Sequence, residues 1–428
     1  MANALVTTLV HLRGNPRACT YTEPLWGLSM NLVLPYASVY MLALGVRDIQ
    51  IGLISSLGMV SQVVFGLLGG VITDKLGRRL TTAVFDFVAW SVPCLIWFAA
   101  SFVDRRAAFW FFVGASLVNG VWQVTQNSWD CLLVEDADRA QIPHVYSLVM
   151  VAGHLSALFA PIAAALVAHF DLIVAVRILY VNAFLIMTIK LVWLFLWSHE
   201  TDMGRVRLAA TKGVPLMRLV AGYRGVLGII RRSPGTLFAL AIAALVGAIN
   251  SVNGTFWQII INKKLLVPDP LLPFFPMARS LLAILFFFTV IHRVSTARRF
   301  RAPLVAGFGA YLIGQLLVSL IPAQAGGAGV RTYALLGTCV LFDSFGVGML
   351  AMLAESLVAL AVDPTERSRV MAVQRTAVML CIAPFGWISG ALSEIDRSLP
   401  FFLTTAITLA GLAVTLVYYR RRDARAAG

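Results

Sequence analysis

Twelve long apolar stretches, at about residues 24–45, 49–73, 80–101, 107–134, 145–168, 172–197, 234–262, 271–293, 302–322, 331–361, 369–392 and 399–419, constrain this 428-residue chain more than anything else in it. Roughly 20 apolar residues make one helical crossing of a bilayer, so each stretch reads as a span. The fold class is therefore an all-α membrane protein with twelve transmembrane helices. Composition agrees: 59% of residues are hydrophobic and 13% charged, against about 45–50% and 25% in soluble domains. Twelve crossings consume about 240 residues, and the remainder is too short and too scattered for an appended soluble domain of the usual size. A receptor or kinase with a globular catalytic unit is disfavoured, and function must lie among the helices.

A net charge of +14 invites a nucleic-acid reading, but the basic residues sit in short runs between the apolar stretches, where they set topology. On one side fall Arg13, Arg17, Lys75, Arg78, Arg79, Arg139, seven residues of the 198–233 connection, four at 293–301, Arg367, Arg369, Arg375 and four from Arg420 onward, 24 in all. Arg47, Arg105, Arg106, Arg177, Lys263, Lys264, Arg331 and Arg397 make eight on the other side, while Lys190 and Arg279 fall within spans. Both termini are expected in the cytoplasm, with the chain in the cell (inner) membrane and lipid, not nucleic acid, around it. The first twenty residues lack the pattern of a cleaved signal peptide. Cys19, Cys94, Cys131, Cys339 and Cys381 show no metal spacing and read as small apolar fillers.

One connection is much longer than the others and divides the chain into an N-terminal six-helix bundle (1–197), a central loop (198–233) and a C-terminal six-helix bundle (234–428). Its apolar-basic run PLMRLVAGYRGVLGIIRRS is expected as an amphipathic helix on the cytoplasmic leaflet. The halves echo each other: Asp130-x7-Asp138 returns as Glu355-x7-Asp363, and Phe159-Ala-Pro161 as Ile382-Ala-Pro384. Two six-helix repeats of this kind place a substrate site near the midplane between rocking halves.

Between the second and third stretches stands Gly70-Val-Ile-Thr-Asp74-Lys75-Leu-Gly77-Arg78-Arg79. It resembles the G-x-x-x-D-(R/K)-x-G-R-(R/K) signature of the major facilitator superfamily, at the place in the chain where that family carries it. The resemblance, with the 6+6 division and the basic central loop, covers essentially the whole sequence. It implies two pseudo-symmetric bundles, transport by alternating access, and a cytoplasmic latch formed by Gly70, Asp74, Gly77, Arg78 and Arg79 with the acidic cluster Glu135 and Asp136. The equivalent loop of the second half, HRVSTARRFR (292–301), lacks the Asp and both Gly positions, so the latch is expected to be one-sided.

Two departures limit the resemblance to drug:proton antiporters of that family. Three residues before Asn119-Gly120 stands Ser116 rather than Arg, and the fifth span reads Ser156-x-x-x-Ala160-Pro161-x-x-Ala164-Ala165 where those exporters carry glycines. Close packing and a Pro-associated bend survive the second change.

Polar residues inside membrane spans usually face a cavity or a partner. Asn119, Gln123, Gln126 and Asp130 recur at helical spacing on the fourth span, flanked by Trp122 and Trp129; Asn250, Asn253 and Trp257 do so on the seventh. The resemblance puts the first, fourth, seventh and tenth spans around the cavity, adding Asn31 and Asp343. Asp130 and Asp343 are the carboxylates suited to carry a proton; for Asp343 a structural pair with a neighbouring Arg or Lys stands equally open. Lys190 is expected to snorkel to the nearer interface, and Arg279 to do so toward the outside.

The leading expectation is a secondary active transporter of a small, amphipathic organic solute, acting as a monomer, with no cofactor, with proton coupling left open and with export ahead of import. The alternative is a proton-coupled importer of a sugar or organic acid. A multispan membrane enzyme finds no support, since the six His are dispersed and no G-x-S-x-G or Walker loop is present; a non-transporting receptor on the same fold is the remaining rival.

Overall fold

The computed structural model describes residues 2–138, 141–215, 234–291, 300–361 and 367–427. Among them twelve helices are long and apolar enough to cross a membrane: Gly14–Ala43, Asp48–Leu76, Arg78–Phe102, Arg105–Val134, Ile142–His169, Leu172–Trp197, Pro234–Lys264, Asp269–Thr289, Arg301–Leu320, Val330–Ala354, Thr376–Ile395 and Leu399–Asp423. Helices satisfy their own backbone groups, which is what a hydrocarbon solvent requires.

The first span begins ten residues before the apolar stretch that announced it. Asn15, Thr20 and Thr22 dilute the hydropathy of its opening turns, yet all three are buried against protein rather than lipid. Glu23 consequently lies well inside the helix.

The chain forms two compact units, Met1–Val46 with Leu57–Gly222, and Arg47–Ser56 with Tyr223–Gly428. In the first, the first span packs on the fifth and sixth, and the third on the fourth. In the second, the ninth span packs on the tenth and twelfth, and the seventh on the tenth, eleventh and twelfth. The second unit's core runs through Ile242, Ile249, Phe308, Tyr311, Leu350 and Leu353.

Local irregularities have named causes. Pro161 cannot donate to the preceding turn, and the fifth span tightens into a 3-10 turn over Ser156–Phe159 just before it. Its echo Pro384 stays inside one continuous helix. There the Ser56 hydroxyl enters the backbone ladder, donating to the Ala383 carbonyl at 2.5 Å while accepting from the Trp387 N–H at 2.8 Å. The fourth span breaks at Gly120, where a Cβ would meet Ser61 Oγ at 2.4 Å.

Of the central loop, Thr201 caps a short helix, Asp202–Thr211, by accepting from the Gly204 N–H at 2.9 Å. The amphipathic helix expected over PLMRLVAGYRGVLGIIRRS falls, beyond Pro215, outside the described residues, as do residues 292–299 and Asp363.

Glycine seams let helices approach within the second unit. A Cβ on Gly52 would meet the Gly386 carbonyl at 2.3 Å, and one on Gly390 the Asp48 carbonyl at 2.8 Å. Gly52→Val is therefore expected to lower the thermal unfolding temperature of the detergent-solubilised protein, with a cost of about 1–3 kcal/mol or more from overpacking. Gly254→Ala, whose Cβ meets nothing within 4 Å, should leave it unchanged.

Candidate functional site

The first unit holds a buried ion pair. Asp86 lies two turns into the third span, directly before a π-helical turn over Phe87–Ser91, the kind of irregularity that often marks functional positions. Lys190 of the sixth span donates to Asp86 Oδ2 at 2.9 Å, and the two residues are 3% and 2% exposed. Lys190 thus does not snorkel as its sequence position suggested: a closer carboxylate is available, and pairing removes the cost of burying the ammonium alone. At the other end of the same two helices Arg177 donates to the Ser101 hydroxyl and carbonyl at 2.7 and 2.8 Å.

Beside this pair opens a cavity of ≈ 450 Å³, lined by Glu23, Trp26 and Leu34 of the first span, Asp86 and Trp90 of the third, Trp122, Thr125, Gln126 and Trp129 of the fourth, and Lys190. Trp26 meets Trp90 edge-on at 5.6 Å between centroids, and Trp90 lies 6.5 Å from Trp122. The walls are mainly indole, with few polar handles. Among these, Gln126 Nε2 donates to Asp130 Oδ1 at 3.1 Å, whereas Thr125 Oγ1 and Trp129 Nε1 are buried without a hydrogen-bond partner among the described residues. Such a surface suits a solute with a large apolar body and a small polar part.

The break at Gly120 divides the polar stripe of the fourth span. Gln126 lines the cavity, while Asn119 Nδ2 donates to the Ala89 carbonyl at 2.8 Å and Gln123 is buried. Asn31 donates to the Gly27 and Gly153 carbonyls at 2.8 and 3.2 Å, tying the first span to the fifth. Sequence reasoning missed Glu23, Asp86, Trp26 and Trp90; the legible signal was an Asp and a Lys in separate apolar stretches, each in need of a counter-charge.

In the second unit Asp343, 2% exposed, receives Arg279 Nη2 at 3.1 Å and Gln315 Nε2 at 3.1 and 3.2 Å. Thr404 Oγ1 donates to Gln315 Oε1 at 2.7 Å, so four spans share one network. The Arg279 guanidinium lies 3.9 Å from the Trp257 ring centroid, where a cation is attracted. Arg279 is held inward by these contacts, not drawn to the outer interface. Asn253 donates to the Tyr311 hydroxyl, and Asn250 is exposed.

The decapeptide forms its own cluster in the first unit. Gly70 lies inside the second span, and Gly77 takes a φ of +84°, which favours glycine, to turn the chain into the third. Arg78 donates to Asp74 at 3.0 Å and to Glu135 at 3.1 Å. Glu200 accepts from the backbone N–H groups of Arg78 and Arg79 at 2.8 and 3.1 Å, satisfying orphan donors at the start of the third span. Arg79 donates to the Phe195 carbonyl at 2.7 Å, Thr201 Oγ1 to Glu135 at 2.5 Å, and Thr211 Oγ1 to the Asp74 carbonyl at 3.0 Å. Asn15 donates to Asp136 at 2.9 Å. The motif therefore clamps the segment after the sixth span, a role sequence reasoning did not assign to Glu200.

A family model described as Major Facilitator Superfamily matches residues 25–383. The chain belongs to that superfamily. It is an integral, multi-pass membrane transporter, and not an enzyme. No curated protein sequence matches it. Among solved structures, a mutant of the nucleoside transporter NupG superposes with a TM-score of 0.72 at 14% identity, covering 95% of this chain and 100% of that one. A mutant peptide transporter POT in complex with sulfate gives 0.68 at 14% identity, covering 95% and 94%. The human organic anion transporter MFSD10 (TETRAN) gives 0.62 at 16%, covering 94% and 98%. These likenesses establish the superfamily fold.

Two predictions follow from the geometry of this transporter. Lys190→Met and Asp86→Leu are each expected to cost about 3–5 kcal/mol, and the double variant to regain most of that, because the loss comes from the stranded charge; thermal unfolding of the three variants checks it. Glu200→Ala should loosen the segment after the sixth span, so that limited trypsin digestion at Arg205, Arg207 and Lys212 proceeds faster than in the unaltered protein.

Proposed function

We propose that the protein moves a small, amphipathic organic solute across the cell membrane by alternating access, outward from a cytoplasm that holds both termini. The observation that carries this reading is the indole-walled cavity of the first unit. Its rings offer apolar area, and the Gln126 side chain offers a directional contact. A sugar, by contrast, presents hydroxyls all round and needs a denser set of hydrogen-bonding partners than these walls provide.

The bias of Lys and Arg toward one side supports the orientation. Direction rests on the fifth span, whose Pro161 and neighbouring small residues keep the packing of the exporter pattern without its glycines. The alternative, a proton-coupled importer of an organic acid, needs a carboxylate that changes protonation freely. Asp343, the tenth-span candidate, is engaged by Arg279 and Gln315 and is ill suited to that role. In the same reading the Asp74–Arg78–Glu135 cluster is the latch of the cytoplasmic side, remade and released once per cycle.

Flux of a fluorescent amphipathic probe into everted membrane vesicles, with and without a pH gradient, tests the proposal. Uptake by vesicles holding the unaltered protein is expected. Trp90→Ala and Trp122→Ala should raise KM by about tenfold with kcat little changed, the pattern of lost binding area. Trp197→Ala, an exposed ring away from the cavity, should leave both unchanged. Absence of flux for every solute of a broad panel under every gradient would contradict the proposal.

A further inference from the structure

The cavity that the proposed function rests on also carries an uneven set of charges. Its lining contains two carboxylates, Glu23 and Asp86, and one ammonium, Lys190. Lys190 and Asp86 are joined at 2.9 Å and both are almost wholly buried, so each neutralises the other. Glu23 has no hydrogen bond or ion pair with another described residue. Asp130, one turn beyond the cavity-lining Gln126, accepts that amide.

Around Glu23 stand the four indoles of Trp26, Trp90, Trp122 and Trp129. Indole presents a negative face, and Trp is the aromatic side chain that attracts cations most strongly. Trp26 and Trp90 meet at an interplanar angle of 83°, and Trp90 and Trp122 at 47°. Rings at such angles line the cavity from several directions and do not form a flat stack. A hydrated inorganic cation would find too few oxygen ligands here to replace its water. An anion would meet indole rings and a second carboxylate, with the one ammonium of the lining already bonded to Asp86.

We infer that the solute is an amphipathic organic cation, such as a quaternary ammonium, a phosphonium or a protonated amine, caged by Trp26, Trp90 and Trp122 with Glu23 as its counter-charge. This deepens the proposed function and depends on the same cavity being the substrate site. Glu23 and the rings then divide the work. The rings accept any apolar shape of suitable size, and the carboxylate selects its sign.

Tetraphenylphosphonium and tetraphenylborate test the inference, because they share shape and apolar surface and differ in charge. Binding of each to the full-length protein in nanodiscs, read by quenching of tryptophan fluorescence and by equilibrium dialysis, is expected to favour the phosphonium by at least tenfold. Glu23→Gln should reduce phosphonium affinity by about tenfold or more and leave borate affinity equal or improved, while Glu23→Asp should retain the preference. Equal affinity for the two ions, or a preference for the borate, would overturn the inference on the unaltered protein alone, whether or not the variants fold.

Transport of neutral amphipathic probes in the vesicle assay separates this from the broader proposal. If neutral or anionic probes are moved with dependence on Trp90 while the phosphonium is neither bound nor moved, the cation assignment fails and the amphipathic-solute reading stands. If no probe of any charge is moved, both fail.

Discussion

A charge inside a bilayer must find its opposite, and much of this structure is arranged around that constraint. Each of the two units holds a buried pair of this kind among its described residues. In the first, Asp86 and Lys190 join the third span to the sixth; in the second, Arg279 and Asp343 join the eighth to the tenth, with Gln315 and Thr404 carrying the network into the ninth and twelfth. Each pair contributes less to stability than its Coulomb attraction suggests, since desolvation offsets most of it. Its effect is rather on register: a helix that slid by a turn would strand both charges.

Pairing also decides what is left over for chemistry. Because Lys190 bonds to Asp86, Glu23 is left without a hydrogen-bonded counter-charge beside the indoles. Because Asp343 is held by Arg279 and Gln315, that carboxylate is engaged with neighbouring spans. In the proposed reading, the difference between the two units arises from where their counter-charges lie. Small residues complete the arrangement. Gly27 admits Ser156 at the seam of the first and fifth spans, and Gly52 lies against Gly386 and Gly390 within the second unit.

The twelve spans and the family were legible because hydropathy and a contiguous decapeptide are local properties of the sequence. Pairings are not local. Lys190 looked like a residue free to reach the interface, since nothing near it in the chain reveals that Asp86, 104 positions earlier, lies against it. Glu23 escaped notice for a related reason: its helix begins with polar residues buried by neighbouring spans, so the apolar stretch seemed to start after it. The polar stripe of the fourth span was visible as a period of residue types, but the break at Gly120 and the carbonyls that absorb Asn119 and Asn31 depend on tertiary packing. Glu200 illustrates the same limit, as its carboxylate caps a helix more than a hundred residues upstream.

The central claim is that solute binds among the tryptophans of the first unit. Photolabelling with a radioactive aryl-azide cation, followed by peptide mapping, addresses it most directly. Label concentrated in the peptides that carry Trp26, Trp90 and Trp122, and displaced by excess unlabelled cation, is the predicted result. Displaceable label confined to peptides around Arg279 and Asp343, with none on those three, would contradict it.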